Sequence, residues 1–256
     1  MNDDQIPFRT GVIRPVECIR EGWRLIKKDY WLFLGLSVVA AFIGGAAPFG
    51  ILLGPMMCGV YMCLLRQTRN EKVSFELLFK GFDHFVQSLI ATLIMIVPIM
   101  IIGVVGYVLM FVVIFASMPT KPGAPPDPNA AWTFIGAFSL FMLLMLIVSM
   151  AMSVLFFFIY PLIVDRKLQG IQAIKTSVAA ARANLGGVLG LVLLNGLMTF
   201  AGLLACYVGA FFVMPIHFAA VLIAYRQVFP ALEESNEPDQ AKLDYDELPA
   251  EPEPPK

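Results

Sequence analysis

Long apolar runs separated by short charged stretches dominate this chain. A bilayer-spanning helix needs about 20 predominantly apolar residues, so the pattern predicts six transmembrane helices. The runs cover about 31–47, 50–66, 89–117, 131–163, 186–206 and 208–226. The first two are short and could also form one broken span. Gly44, Gly45, Pro48 and Gly50 favour a tight turn between two separate spans instead.

An amphipathic stretch precedes each pair of predicted spans. Its apolar residues recur at steps of 3, 4, 3 and 4, the spacing of one helix face. The three stripes are Val16, Ile19, Trp23, Ile26 and Tyr30; Phe75, Leu78, Phe82, Phe85 and Leu89; and Ile171, Ile174, Val178, Ala181 and Leu185. Charged and polar residues lie between the stripe positions. Each stretch therefore predicts an amphipathic surface helix.

The pairs of spans also end alike. Pro55 lies 11 residues before Arg66, and Pro215 lies 11 residues before Arg226, with Gln following Arg in both cases. The middle pair ends in the variant "YPLIVDR", residues 160–166. These similarities predict a six-span membrane domain over 15–229, made of three repeats at about 15–67, 74–166 and 169–227. Each repeat is a surface helix followed by a transmembrane hairpin.

The positions of Lys and Arg predict the orientation. Fifteen of them lie before the first span, between spans two and three, between spans four and five, or at the end of span six; only Lys121 lies on the opposite side. Translocation of basic loops is disfavoured, so both termini are expected in the cytoplasm. Because every repeat then starts on the same side, the repeats are parallel around a pseudo-threefold axis. A bacterial cytoplasmic membrane is the expected location.

Composition agrees with an all-α integral membrane protein. The 256 residues are 59% hydrophobic and 14% charged, more apolar and less charged than a soluble domain. Residues 1–14 are expected to be a flexible N-terminus, and the five prolines in 118–131 predict an external loop without regular structure. The acidic, proline-rich stretch 230–256 predicts a disordered cytoplasmic tail. That tail either recruits a protein partner or only solvates the chain end.

The surface helices carry the candidate membrane-contacting residues. Aromatic side chains on such helices enter the headgroup layer, and their bases meet anionic lipid. The candidates are Trp23, Arg24, Lys27, Lys28, Lys80, Lys175 and Arg182. The alternative is that the apolar stripes cover the inner ends of the bundle, which requires no lipid specificity.

Two buried polar residues are the remaining candidates. His217 lies in the last span and could bind a proton or a polar ligand, or simply donate to a neighbouring carbonyl. Asn195 in the fifth span could join two helices by a hydrogen bond. The four cysteines, at 18, 58, 63 and 206, form no metal-binding spacing. No catalytic constellation, phosphate-binding loop or nucleic-acid motif is present, so we expect no enzyme activity, no cofactor and no nucleic-acid partner.

Four stretches carry a family resemblance: "GWRLIKKDYW", "PLIVDR", "AIKTSVAAARANLGG" and "CYVGAFFVMPIHFAAVLIAYRQ". Over residues 15–228 the chain resembles bacterial six-span membrane proteins of unknown function, related to the membrane domain of some glycerophosphodiester phosphodiesterases. The resemblance implies the six-span fold. It transfers no active-site residue, because that membrane domain is not the catalytic part.

Two functions follow from these expectations. The first is a non-enzymatic membrane protein that organises lipids or partner proteins through its basic inner surface and its tail. The alternative is a transporter or permease subunit for an apolar or lipid-like molecule. A close-packed bundle would favour the first, and a continuous opening lined by His217 and Asn195 would favour the second.

Overall fold

The computed structural model describes residues 6–116, 129–204 and 208–231. The predicted external loop at 118–131 and the predicted tail at 230–256 therefore lie almost wholly outside the described residues. Residues 6–14, where a flexible N-terminus is predicted, have irregular backbone but contact the helical body. The Phe8 ring lies 6.1 Å from that of Phe229, and the Arg9 amide donates to the Val228 carbonyl at 2.9 Å.

Every regular element of the described residues is helical, which confirms the all-α prediction. The ten α-helices of this part of the chain are α1 (Pro15–Ile26), α2 (Tyr30–Ala46), α3 (Leu53–Thr68), α4 (Glu76–Phe79), α5 (Phe85–Ala116), α6 (Ala130–Leu155), α7 (Ile159–Asp165), α8 (Gly170–Ala183), α9 (Leu185–Leu204) and α10 (Val208–Val228). Short 3₁₀ turns at Lys27–Asp29, Pro48–Gly50 and Lys80–His84 join α1 to α2, α2 to α3 and α4 to α5. Gly50 has φ of 65°, a conformation that glycine adopts without steric cost.

Five helical segments are long and apolar enough to cross a bilayer, as expected of a multi-pass membrane protein. They are Pro15–Ala46, Glu76–Ala116, Ala131–Asp165, Leu185–Leu204 and Val208–Val228. The sixth predicted span, at 50–66, corresponds to α3. Its 16 residues reach about 24 Å, less than the hydrocarbon thickness of about 30 Å. The 17 residues of α2 are nearly as short and reach span length only together with α1. Protein rather than lipid surrounds most of α3, because eleven of its 16 residues are buried.

Three apolar segments form the centre of the fold: α3, α7 and the second half of α10. In α3, every residue from Gly54 to Leu65 except Met62 is buried. Four consecutive residues of α10, Ala219–Leu222, are likewise buried. Small residues such as Gly and Ala let neighbouring backbones approach closely in these segments. The result is a close-packed body on which the shorter amphipathic helices rest.

The amphipathic segments pack on this body in a recurring manner. The segment made of α4 and the Lys80–His84 turn packs on α3, and α8 packs on α7 and α5. Each therefore contacts the helix that closes the hairpin before it in the chain. The first amphipathic helix, α1, has no hairpin before it and packs on α10, at the other end of the chain, with a smaller contact to α9.

Two of these contacts depend on a glycine. A Cβ on Gly22 of α1 would lie 2.8 Å from the Ala220 nitrogen of α10. A Cβ on Gly81, after α4, would collide with the Pro55 carbonyl oxygen and the Gly59 backbone of α3. Neither position can hold a larger residue unless the helices separate, since the obstructing atoms belong to the backbone.

Ser177 makes the corresponding contact on α8. Its hydroxyl donates to the Leu155 carbonyl at 3.0 Å and accepts from the Phe158 amide at 3.1 Å. Leu155 and Phe158 flank the break between α6 and α7, where backbone groups lack helical partners. The serine therefore both permits close approach and satisfies polar backbone groups at the break.

The buried face of α1 matches the predicted apolar stripe only in part: Ile26 is buried, and Ile19 and Tyr30 pack partly against the core. The residues turned to the body are Cys18, Gly22 and Ile26, while Val16 is 71% exposed and Trp23 is 43% exposed. Close helix packing selects the face with the smallest side chains, because these allow the backbones to approach. Val16 and Trp23 of the stripe are left on the exposed side of the helix.

The α5–α6 hairpin leaves most of its apolar surface uncovered by protein. Helix α5 has 32 residues, which correspond to about 48 Å of helix. Its second half exposes apolar side chains around the helix, including Val104, Tyr107, Val108 and Phe111. A helix that is apolar on all sides is suited to a lipid surrounding. These surfaces are consistent with direct contact with the bilayer.

Candidate functional site

A buried charged cluster joins α7 to the end of α10. The Asp165 carboxylate accepts from the Tyr225 hydroxyl at 2.7 Å and from both terminal nitrogens of Arg226, at 3.2 and 3.1 Å. Only 8% of the Asp165 side chain and 21% of that of Arg226 are exposed. A bidentate Arg–carboxylate pair of this kind fixes both helices in position.

Arg166 adds a second positive charge to this cluster. Its Nε lies 3.7 Å from Asp165 Oδ2 and has no hydrogen-bond partner within the described residues. Its Nη2 donates to the Pro230 carbonyl at 2.5 Å. The cluster thus contains two guanidinium groups and one carboxylate. We call Asp165, Arg166, Tyr225 and Arg226 the charged junction.

The two glutamines of the Arg-Gln pairs hold opposite ends of α1. Gln227 Oε1 accepts from the Arg14 amide at 3.3 Å, at the start of the helix. Gln67 Nε2 donates to the Leu25 carbonyl at 3.4 Å and to Asp29 at 3.2 Å, at its end. Helix ends have unsatisfied backbone groups, and these amides supply partners for some of them. The repeated glutamine therefore fixes the first surface helix at both ends.

Aromatic and basic residues cover the outer side of α1 and the turn that follows. Trp23 contacts Tyr30 edge to face, with ring centroids 5.4 Å apart, and Tyr30 donates to the Phe212 carbonyl at 2.8 Å. The predicted contact residues Arg24, Lys27 and Lys28 are exposed beside them. The four predicted residues Trp23, Arg24, Lys27 and Lys28 are therefore all exposed on one short segment of the chain.

The other predicted surface residues are also exposed. Lys80 lies in the turn after α4, next to Phe79, which is 49% exposed. Lys175 and Arg182 are exposed on α8. These residues belong to amphipathic segments packed on different parts of the body, so they form separate patches rather than one compact site.

Most of the described bases have no acidic partner. Ion pairs involve Arg14, Arg66, Arg166 and Arg226. The remaining eleven described bases are exposed and unpaired: Arg9, Arg20, Arg24, Lys27, Lys28, Arg69, Lys72, Lys80, Lys167, Lys175 and Arg182. Unpaired exposed bases attract anionic groups over roughly 8 Å at physiological salt.

Asn195 and His217 lie in the α9–α10 hairpin. Asn195 is 1% exposed, and neither of its side-chain polar atoms has a hydrogen-bond partner in the described part of the chain. Gly202 packs against the backbone of Gly209 and Ala210, and the antiparallel register from this contact brings Asn195 to the level of His217. His217 is half-buried, with its ring 5.8 Å from that of Phe218.

Two cavities of the described part of the chain are lined by residues other than Asn195 and His217. One, of about 410 Å³, lies between α5 and α6 and is lined by apolar side chains around Gly106 and Phe141. A second, open cavity lies on the second half of α5 near Tyr107 and Phe111. Over residues 6–116, 129–204 and 208–231, no group of three His, Cys, Asp or Glu side chains could hold a metal ion.

No protein-family model, curated protein or solved structure matches this chain. The resemblance to the membrane domain of glycerophosphodiester phosphodiesterases therefore stays a prediction.

Proposed function

We propose that this protein is a non-enzymatic component of a bacterial cytoplasmic membrane that organises lipids or partner proteins at the inner face. It has three like-oriented units, six membrane crossings and both termini in the cytoplasm. The observation that carries the proposal is that α1 has two different faces. Its small residues face the body, whereas its aromatic and basic residues remain exposed at the surface.

The packing contacts support the three-unit arrangement. Gly81 follows Gly22 by 59 positions and Ser177 follows it by 155, and all three have the same place in their predicted surface helices. Each makes the close contact to a closing helix described above. A chain of unrelated helices has no reason to repeat this contact at matching positions.

The contacted residues correspond as well. Pro55 precedes Arg66 by 11 positions, and Leu155 precedes Arg166 by the same number. The Pro55 carbonyl faces Gly81, and the Leu155 carbonyl accepts from Ser177. The first unit contacts the third through Gly22 and the Ala219–Ala220 backbone, seven and six positions before Arg226 rather than 11. Three units related in this way close into a ring around α3, α7 and α10.

The transporter alternative lacks a specific supporting observation. It requires an opening that passes Asn195 and His217, whereas the cavities described lie along the outer α5–α6 hairpin and are lined by apolar residues. The centre of the body consists of small and apolar side chains in close contact. A fixed, packed body suits a protein that presents a surface.

Removing three positive charges from the α1 surface is expected to weaken association with anionic lipid. Each base near a charged membrane contributes about 1 kcal/mol. The variant Arg24→Gln, Lys27→Gln, Lys28→Gln should therefore retain several-fold less phosphatidylglycerol than the unmodified protein after purification in neutral detergent, measured by mass spectrometry of the bound lipids.

The matched control removes the same charge elsewhere. Arg69→Gln, Lys72→Gln and Lys121→Gln change bases that lie outside the predicted contact residues and outside the segment 232–256. This control should retain as much phosphatidylglycerol as the unmodified protein. Equal lipid content in all three proteins would reject the proposed lipid contact, and equal loss in both variants would reduce it to a net-charge effect.

A further inference from the structure

The chain leaves the helical body at a fixed point after α10. Phe229 is fully buried and packs on Phe8, Phe158 and Tyr225, with ring centroids 6.1, 5.8 and 5.2 Å away. The next residue, Pro230, is held by the hydrogen bond from Arg166. The segment 232–256 therefore starts from a defined position beside the charged junction.

Three exposed bases without ion pairs lie on the chain segments that meet at this exit. The Arg9 backbone is held there by the hydrogen bond from its amide to the Val228 carbonyl. Lys167 follows Arg166 directly in the chain. Arg182 lies two residues before Asn184, whose side-chain amide donates to the Arg9 carbonyl at 3.0 Å. We call Arg9, Lys167 and Arg182 the exit collar.

The charges of the segment complement those of the body. The described residues contain 15 Lys and Arg but 7 Asp and Glu, whereas residues 232–256 contain nine Asp and Glu but two Lys and Arg. The two parts therefore have nearly equal and opposite net charge. Charge complementarity of this kind steers an acidic segment toward the nearest unpaired bases.

The distances also suit contact within one chain. Glu233 and Glu234 follow Pro230 by three and four residues, a reach of about 10 to 14 Å in extended chain. The whole segment of 25 residues has a root-mean-square span of roughly 25 to 30 Å if it behaves as a flexible chain. A second molecule would have to be recruited from solution, whereas the tethered segment is always present.

We infer that the acidic segment 232–256 folds back onto the exit collar of its own chain. In doing so it covers part of the basic inner surface and competes there with anionic headgroups. The docking itself rests only on the exit geometry and the charges. The competition rests in addition on the proposed function.

Zero-length cross-linking of the full-length protein in neutral detergent tests the docking. A carbodiimide activates a carboxylate, and the Lys167 amine displaces the activated group to form an amide only where the two groups touch. We expect an amide between Lys167 and Glu233 or Glu234 on a monomeric band, found by peptide mass spectrometry. The yield of this cross-link should fall several-fold in the double variant Arg9→Gln, Arg182→Gln. It should also fall in high salt.

The matched control for the collar is the double variant Arg24→Gln, Arg69→Gln, which removes the same charge near the other end of α1. It should leave the cross-link yield unchanged. Absence of the Lys167 cross-link, its appearance only between two chains, or equal yields in the collar and control variants would overturn the inference. A chain-to-chain product alone would identify a second copy as the occupant.

Lipid retention separates this inference from the proposed function. We compare the full-length protein with a full-length variant whose nine acids in 232–256 are changed to Gln or Asn. The neutral tail should increase phosphatidylglycerol retention several-fold. If the cross-link forms but retention is unchanged, the docking stands and the competition is rejected. If neither protein retains the lipid, the proposed lipid contact fails while the docking result is unaffected.

Discussion

Asp165→Asn is expected to lower the free energy of unfolding by about 3–5 kcal/mol, because it breaks a buried ion pair and leaves its partner unpaired. Arg226 would lose its bidentate carboxylate, and Arg166 would lose its only acidic neighbour in the described structure. The Tyr225 hydroxyl would retain a neutral acceptor. Two guanidinium groups would then remain close together in a poorly hydrated junction. The measurement is the unfolding temperature of the purified protein in neutral detergent.

The matched control for this substitution is Glu71→Gln. Glu71 pairs with Arg66 at 3.6 Å, but about half of each side chain is exposed, and exposed pairs contribute about 0–1 kcal/mol. The control should unfold within a degree or two of the unmodified protein, a shift that corresponds to a small free-energy change. Similar unfolding temperatures for the two variants would show that the charged junction does not hold α7 against α10.

Gly59→Ala is expected to reduce stability markedly although it adds a single methyl group. The new Cβ would occupy the same space as the Leu78 carbonyl group, so α4 would have to move away from α3. Overpacking of a close core costs about 1–3 kcal/mol and occasionally more, which exceeds the gain of about 1 kcal/mol from replacing glycine in a helix. We expect a lower unfolding temperature and a larger aggregated fraction in size-exclusion chromatography.

Gly103→Ala provides the matched control within a helix. No heavy atom lies within 4 Å of a Cβ built at Gly103 in α5, so this variant receives the helix gain without a collision. It should unfold at or above the temperature of the unmodified protein. If Gly59→Ala and Gly103→Ala had the same effect, the close contact between α3 and α4 would not be part of the fold.

The long helices could be predicted because they depend on local pattern. Apolar runs of sufficient length form helices in a membrane because the bilayer core offers the backbone no other hydrogen-bond partners. Five of the six predicted spans coincide with long apolar helices. The sixth, α3, has the predicted position but is short and surrounded by protein. Sequence pattern measures how apolar a segment is, and this property does not distinguish a lipid-facing helix from a buried one.

The orientation of α1 could not be predicted from its apolar stripe. The periodicity emphasised Val16 and Trp23, which are exposed, and overlooked Cys18 and Gly22, which are buried. Close approach of two backbones depends on small side chains, and hydrophobic periodicity gives these little weight. The sequence does contain a signal: Gly22 and Gly81 each lie one position before the third residue of a predicted stripe. This shared place indicates a position where the size of the side chain is restricted.

The charged junction was only partly visible in the sequence. The Asp165–Arg166 neighbours suggest a local ion pair, but the stronger partner, Arg226, is 61 positions away from Asp165. Such a pairing depends on how α7 and α10 pack, which no local pattern encodes. The exposure of Arg24, Lys27 and Lys28 could be predicted, since charge alone keeps them out of the core; their contact with a membrane stays a prediction.

The most direct test of the six-crossing, like-oriented arrangement is labelling, with a membrane-impermeant maleimide, of cysteines introduced one at a time into a Cys206→Ser background, in which the remaining Cys18, Cys58 and Cys63 are buried. The four test positions are Asn2→Cys, Lys121→Cys, Gln172→Cys and Gln240→Cys. We expect position 121 to react in intact cells, and positions 2, 172 and 240 to react only after the membrane is opened. Labelling of either chain end or of position 172 in intact cells would contradict this arrangement.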